Sequence, residues 1–403
     1  MPKALTWLLA GLATYAALAP LSTGQGGDDR GPAHYRALGD ALLKVEPAPV
    51  SYRMPLATVS AALAPRLPPG DWDFLRRAAA AVLLTALAGL LGGVWSAPAA
   101  ALLWCLSPFA RGALGDHAQA LYVLAVLAVA LALARRARDP GTETSASLAL
   151  ALGASLLVRS PLFLFAPLLL AVESRRRRPS RLDAALLLLG PLLLLLPWAW
   201  MNWRLHGRVI LFEHGAGSAN LVAGALGFLG TFEGDARALL PADVEIDRSA
   251  SLLVWALGEV LGHPLRTAGA VFSRLAFALK LAPAAFLLAG AAVWRGRKDP
   301  AVTAVALLAG YLLAIHVLLA VQENYFLPAA ALAAALGADL GRRLLSGPGG
   351  NAQSPEARRV ARAATALTAT ACLAVLTVCA RYGLASPRHV MAAASELTPF
   401  VER

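Results

Sequence analysis

Long apolar runs without a polar face, separated by short clusters of arginine, recur from one end of this chain to the other. About 20 apolar residues are what a helix needs to cross a hydrocarbon layer of about 30 Å. No water reaches backbone N–H and C=O groups at that depth, so such a run must close its hydrogen bonds internally, as a helix. Bounded by charge, proline or glycine, eleven runs qualify: 4–20, 78–94, 97–114, 118–134, 147–158, 161–172, 182–200, 272–294, 301–321, 326–340 and 363–380. The fifth and sixth are short, and fit either a hairpin or one tilted helix. With 58% hydrophobic and 15% charged residues in 403, the chain is too apolar for a soluble domain or a disordered segment. The expectation is an all-α, polytopic membrane bundle forming one domain over 1–403.

The arginines orient it. With the N-terminus inside, Arg135, Arg136, Arg138, residues 175–178, Arg181, Arg295, Arg297, Lys298, Arg342, Arg343, Arg358, Arg359 and Arg362 all fall on the cytoplasmic side. The net charge of +12 is therefore a matter of topology and lipid headgroups, and no nucleic acid is expected as a partner. Many later spans favour a retained first span over a cleaved signal. Cys105, Cys372 and Cys379 lie in or beside apolar runs, with no CxxC spacing to frame a zinc site or a disulfide.

Two long segments remain outside. Residues 22–77 carry seven basic and six acidic side chains, and 201–271 carry five and seven, without the cytoplasmic excess of arginine. Each holds a moderately apolar stretch, 56–64 and 250–261, suited to a helix lying along the membrane surface. A short cytoplasmic linker covers 344–362. Function concentrates in loops of this length.

Asp28 and Asp29 follow the first run closely. Alone, they read as a solvated turn. As a functional pair, neighbouring like charges disfavour double ionisation, so one can accept a proton, or the two can share a cation. A third acid, Asp116, lies between the third and fourth runs, where it either caps a helix or joins a site. Arg159, in Leu157-Val158-Arg159-Ser160-Pro161, stands near the outer interface, where a cation snorkels or meets a lipid phosphate. Arg274 and Lys280 enter the eighth run from outside, where Arg274 is either an ordinary interfacial anchor or a lipid-phosphate contact. A cation at hydrocarbon depth needs an anion, which is the position expected for Lys280. Trp198, Trp200 and Trp203 read as an interfacial belt, and His206, His214 and His263 are too scattered for a metal.

Taken in order, these pieces resemble the GT-C membrane glycosyltransferases, specifically those related to dolichyl-phosphate-mannose protein mannosyltransferases and lipid A aminoarabinose transferases. The resemblance runs through most of the chain. It rests on Asp28-Asp29, Tyr35 and the helical stretch to residue 43, the segment Tyr52-Arg53-Met54-Pro55-Leu56, and Asp116. It continues through 156–161, Pro197-Trp198-Ala199-Trp200-Met201-Asn202, residues 217–224 around Asn220, and Asn324-Tyr325-Phe326-Leu327-Pro328. Met201 and Asn324 stand where arginine is usual, Ala225 replaces a frequent Asn, and Tyr35 falls a couple of residues late.

The resemblance implies transfer of one sugar, with inversion, from a polyprenyl-phosphate carrier to an extracytoplasmic acceptor, in a multi-pass protein of the bacterial inner membrane. It implies Asp29, Asp28 and Asp116 as catalytic acids, with Asp29 the general base. Tyr35, Tyr52, Arg53, Arg159, Asn202, Arg204, Asn220, Arg274, Lys280 and Tyr325 are implied as substrate-binding. Arg204, Arg274 or Lys280 would then stand in for the missing arginines. Relatives differ in needing a divalent metal, which here would fall to Asp28, Asp29 and Asp116. Two other readings are a transporter or flippase for a lipid-linked substrate, depending on Lys280 or His316, and a degenerate relative serving as a membrane scaffold.

Overall fold

The computed structural model describes residues 31–44, 53–66, 71–93, 96–105, 117–176, 178–212, 216–230, 239–240, 249–319 and 323–346. The described residues are helical, in chain order α1 (Gly31–Lys44), α2 (Pro55–Leu63), α3 (Asp71–Gly92), α4 (Ser96–Cys105), α5 (His117–Arg138), α6 (Thr142–Val158) and α7 (Phe165–Ser174). Then come α8 (Arg181–His206), α9 (Ala216–Ala225), α10 (Ser249–Gly262), α11 (Pro264–Leu281), α12 (Pro283–Arg295), α13 (Pro300–Leu318) and α14 (Leu327–Ser346). Among these residues α5, α8 and α13 are long and apolar enough to cross a membrane by themselves, and α11 with α12 would make a fourth span. The runs expected at 4–20 and 363–380 lie outside the described residues, as do Asp28, Asp29, Tyr52 and Asp116.

The core is built on α5 and α14. Helix α5 packs against α3, α6, α13 and α14, and buries Tyr122, Val123, Val126, Val129, Ala130 and Leu133. Lipid tails are as apolar as leucine, so helices in a membrane associate mainly by close packing, which small residues allow. Helix α14 shows this in its sequence: Ala330, Ala334 and Ala338 recur at intervals of four and are buried. A Cβ on Gly337 would stand 2.8 Å from the Cβ of Leu288, so α12 lies directly on it. Helix α8 does the opposite. Leu188, Leu189, Leu192, Leu193, Leu196 and Trp200 are exposed, a face made for lipid.

Element ends follow local chemistry. Ser180 caps α8 by accepting from the Asp183 N–H at 3.0 Å, and Gly207 closes the helix in the left-handed conformation at φ 66°. Asp299 caps α13 through the N–H groups of Ala301 and Val302, with Pro300 at the first helical position.

Two expectations are decided here. Arg136 donates both to Ser145, at the start of α6, and to Glu173, at the end of α7. The fifth and sixth runs therefore return to the same end of the bundle as a hairpin, with Arg159 at its tip. The eighth run is not one helix. Proline has no N–H and restricts the residue before it, and at Pro283 the chain breaks: Ala282 leaves the helical region and α11 meets α12 at 102°. Lys280 is thus exposed in the last turn of α11, before the corner.

The ends of the bundle differ in chemistry. At one, Arg136 pairs with Glu173, Arg138 lies 3.7 Å from Asp299, and Arg176 donates to Thr303 at 3.3 Å. These are the arginines expected to face the cytoplasm. The other end carries Arg159.

Candidate functional site

Arg159 follows the last residue of α6, in extended conformation (φ −158°, ψ 145°), and Pro161 two residues on prevents the helix from resuming directly. The carbonyl of Pro161 accepts from the Tyr311 hydroxyl of α13 at 2.6 Å, which anchors the turn. The guanidinium lies over the ring of Tyr122 at 5.9 Å and over that of Tyr325 at 5.0 Å. Both tyrosines present a negative π face to it. The amide of Gln119, oriented to satisfy both neighbours, accepts from Arg159 Nη1 at 2.6 Å and donates to the Asn324 carbonyl at 3.2 Å.

Gln119 and Tyr122 are three residues apart on α5, one turn along the same face, so both reach the same cation. His316 of α13 packs beside Tyr325, with ring centroids 5.0 Å apart, and edge-on to Phe326 at 6.0 Å. It is buried, and its Nε2 has no hydrogen-bond partner among the described residues.

The first segment expected to be external docks at this same end. Gly39 lets α1 and α2 touch: a Cβ there would lie 2.1 Å from the Thr58 carbonyl oxygen. Met54, fully buried in the main core, roots the pair. Tyr35, Ala57 and Ala61 pack against Ala118 in the first turn of α5, and Arg53 lies over the Tyr35 ring at 5.6 Å. Helices α1 and α2 are therefore fixed against the first turn of α5, around the end that carries Arg159.

Other expected residues lie apart. Asn202 is buried and donates from Nδ2 to the Ile210 carbonyl at 3.0 Å, closing the end of α8. Arg204 is exposed and lies over Trp200 at 5.6 Å, beside exposed Trp203, in an aromatic belt at the end of α8. Asn220, half-buried in α9, has its Oδ1 without a partner among the described residues. Arg274 is buried, and its guanidinium donates to main-chain carbonyls of Gly224, Phe228, Val317 and Leu318. Among the described residues no three His, Cys, Asp or Glu side chains gather to hold a metal.

Gln119 and Tyr122 escaped the sequence reading. The available signal was weak: a lone amide and a phenol one turn apart in an otherwise apolar span, the kind of polar placement that intramembrane function calls for. Asn324 stands where arginine is usual. A cation nonetheless stands at Tyr325, and it is Arg159.

No protein-family model matches the chain, and no curated protein sequence matches it. Among solved structures it is similar to the archaeal oligosaccharyltransferase AglB from Archaeoglobus fulgidus, solved in complex with an inhibitory peptide and a dolichol-phosphate. The TM-score is 0.52 at 14% sequence identity, over 92% of this chain and 55% of that one. The likeness is one of fold. The chain spans about half the length of that protein. With its apolar, lipid-facing helices, the protein is an integral membrane protein.

Proposed function

We propose that the protein is a glycosyltransferase of the bacterial inner membrane. It moves one sugar from a polyprenyl-phosphate donor to an extracytoplasmic acceptor, with inversion. The observation that carries this reading is the hold on Arg159: a guanidinium between two tyrosine faces, at the end of the bundle where α1 and α2 pack against the first turn of α5. A fold shared with an enzyme solved with a dolichol-phosphate supports the donor class.

In the reaction, a carboxylate oxygen of Asp29 takes the proton of the acceptor hydroxyl as that oxygen bonds to the anomeric carbon. The bond from this carbon to the phosphate oxygen breaks, and its electron pair leaves on the lipid phosphate. Arg159 offsets the charge that grows there, and the tyrosines hold the guanidinium in place for it. Asp28 and Asp116 complete the acidic side of the site. A divalent metal, where bound, falls to these three acids.

The test is transfer from a radiolabelled polyprenyl-phosphate sugar by the purified protein in proteoliposomes. General-base catalysis is worth about 10²- to 10⁴-fold. Asp29→Asn is expected to lose about that much with normal insertion, and unchanged transfer removes Asp29 from the role. The break between α11 and α12 is the one observation here that favours a transporter, since broken helices serve transport sites. That reading expects donor flux dependent on Lys280 or His316 and no glycosylated product.

A further inference from the structure

Arg274 is expected either as an interfacial anchor or as a phosphate contact, and its donors instead face the protein's own backbone. The last carbonyls of a helix have no partner within it and carry a partial negative charge. Arg274 reaches two such ends at once. Nη2 donates to the Gly224 carbonyl at 3.3 Å near the end of α9, and Nη1 to those of Val317 at 3.1 Å and Leu318 at 3.2 Å at the end of α13. Nε donates to Phe228 at 3.1 Å in the turn after α9. The two helix ends meet there without a side chain between them: a Cβ on Gly224 would lie 2.2 Å from the Leu319 carbonyl oxygen. Arg266, one α11 turn pair earlier, adds a bond from Nη2 to the Ala225 carbonyl at 3.1 Å.

Leu318 is the last residue of α13, and the short turn Glu323–Phe326, which holds Asn324 and Tyr325 against Gln119 and Arg159, packs on both α11 and α13. We propose that Arg274 is a positioning residue for the phosphate-facing cation. By capping α9 and α13 together it fixes α13, against which the turn carrying Tyr325 packs, and it binds no substrate itself. This rests on the glycosyltransferase reading for its effect on rate, though not for the geometry.

A planar fork of five N–H donors serves several carbonyls in one plane, and an ammonium does not. Arg274→Lys, which keeps the charge, is therefore expected to fail almost as badly as Arg274→Gln. Misplacing a distant support can cost about 10²-fold. We expect a loss of about 10- to 100-fold in kcat/KM for the donor, with the acceptor KM unchanged. A residue that merely kept the chain folded would lower the yield and leave the donor KM of the surviving enzyme alone. If Lys preserves the wild-type donor KM while Gln raises it, Arg274 is a charge at the phosphate and the proposal falls.

A second readout needs no activity. Nitroxides replace the exposed Leu150 and Leu318, with Cys105, Cys372 and Cys379 changed to serine, and pulsed EPR gives their separation. One narrow distance is expected with Arg274 and a broad distribution with Arg274→Lys. An unchanged distribution overturns the positioning role whatever the activity. A broadened one, in a protein whose wild type transfers no sugar, overturns the glycosyltransferase reading and leaves the positioning role standing.

Discussion

Arg136 and Arg274, both buried, are held by different chemistry, and that difference sets what each tolerates. Arg136 is 1% exposed and is paired with Glu173. Removing one partner of a buried pair leaves an uncompensated charge and costs about 3–5 kcal/mol, whereas replacing both with apolar groups is close to neutral. Glu173→Ala is expected to lower stability by about that much, and the double variant Arg136→Met with Glu173→Leu to recover most of it, as read by thermal unfolding in detergent. At this scale the sequence is only partly legible. Arg159 could be singled out because a cation two residues before proline stands out against apolar runs, whereas Tyr325 comes only through the family resemblance. The role of Arg274 could not, since a phosphate and a carbonyl are both acceptors, and its carbonyls come from residues 46 and 43 positions away.

Among the elements, the α1–α2 pair is one that a single change can undo. It depends on a backbone approach at Gly39 that leaves no room for a side chain. Overpacking typically costs about 1–3 kcal/mol, comparable to what docks a short helix pair. Gly39→Leu is expected to make residues 31–66 sensitive to limited proteolysis and to cut sugar transfer at least tenfold (about 1.4 kcal/mol in the barrier), with the rest of the bundle intact. Persistent protection would show that Gly39 does not hold the pair. Helical patterning made α1, α2 and α10 legible in advance, because their apolar stretches lie between turn residues. The corner at Ala282 was missed for a physical reason: proline inside an apolar run is tolerated in membrane helices where neighbours re-satisfy the freed backbone groups. Pro191 and Pro197 inside α8 are such cases, and Pro283 is not.

Over the whole molecule, the chain is a bundle with an arginine-rich end and an end that gathers Arg159, Tyr325 and helices α1 and α2. The proposed sidedness puts Asp40 and His263 outside, and Thr142 and Lys298 inside. Single cysteines at Asp40 and His263 are expected to react with a membrane-impermeant maleimide on intact cells, and those at Thr142 and Lys298 only after permeabilisation. The reverse pattern inverts the topology. The bundle was legible at this scale because composition and arginine clusters act over whole spans, while the meeting of α5, the α6 tip and the start of α14 depends on packing that no local pattern encodes. The most direct measurement is photo-crosslinking of a diazirine-bearing polyprenyl phosphate in proteoliposomes, with adducts located by mass spectrometry. Adducts on peptides containing Arg159 or Tyr325, competed by unlabelled polyprenyl phosphate, are the predicted result. Competed adducts confined to the Arg136–Glu173 end would contradict the account.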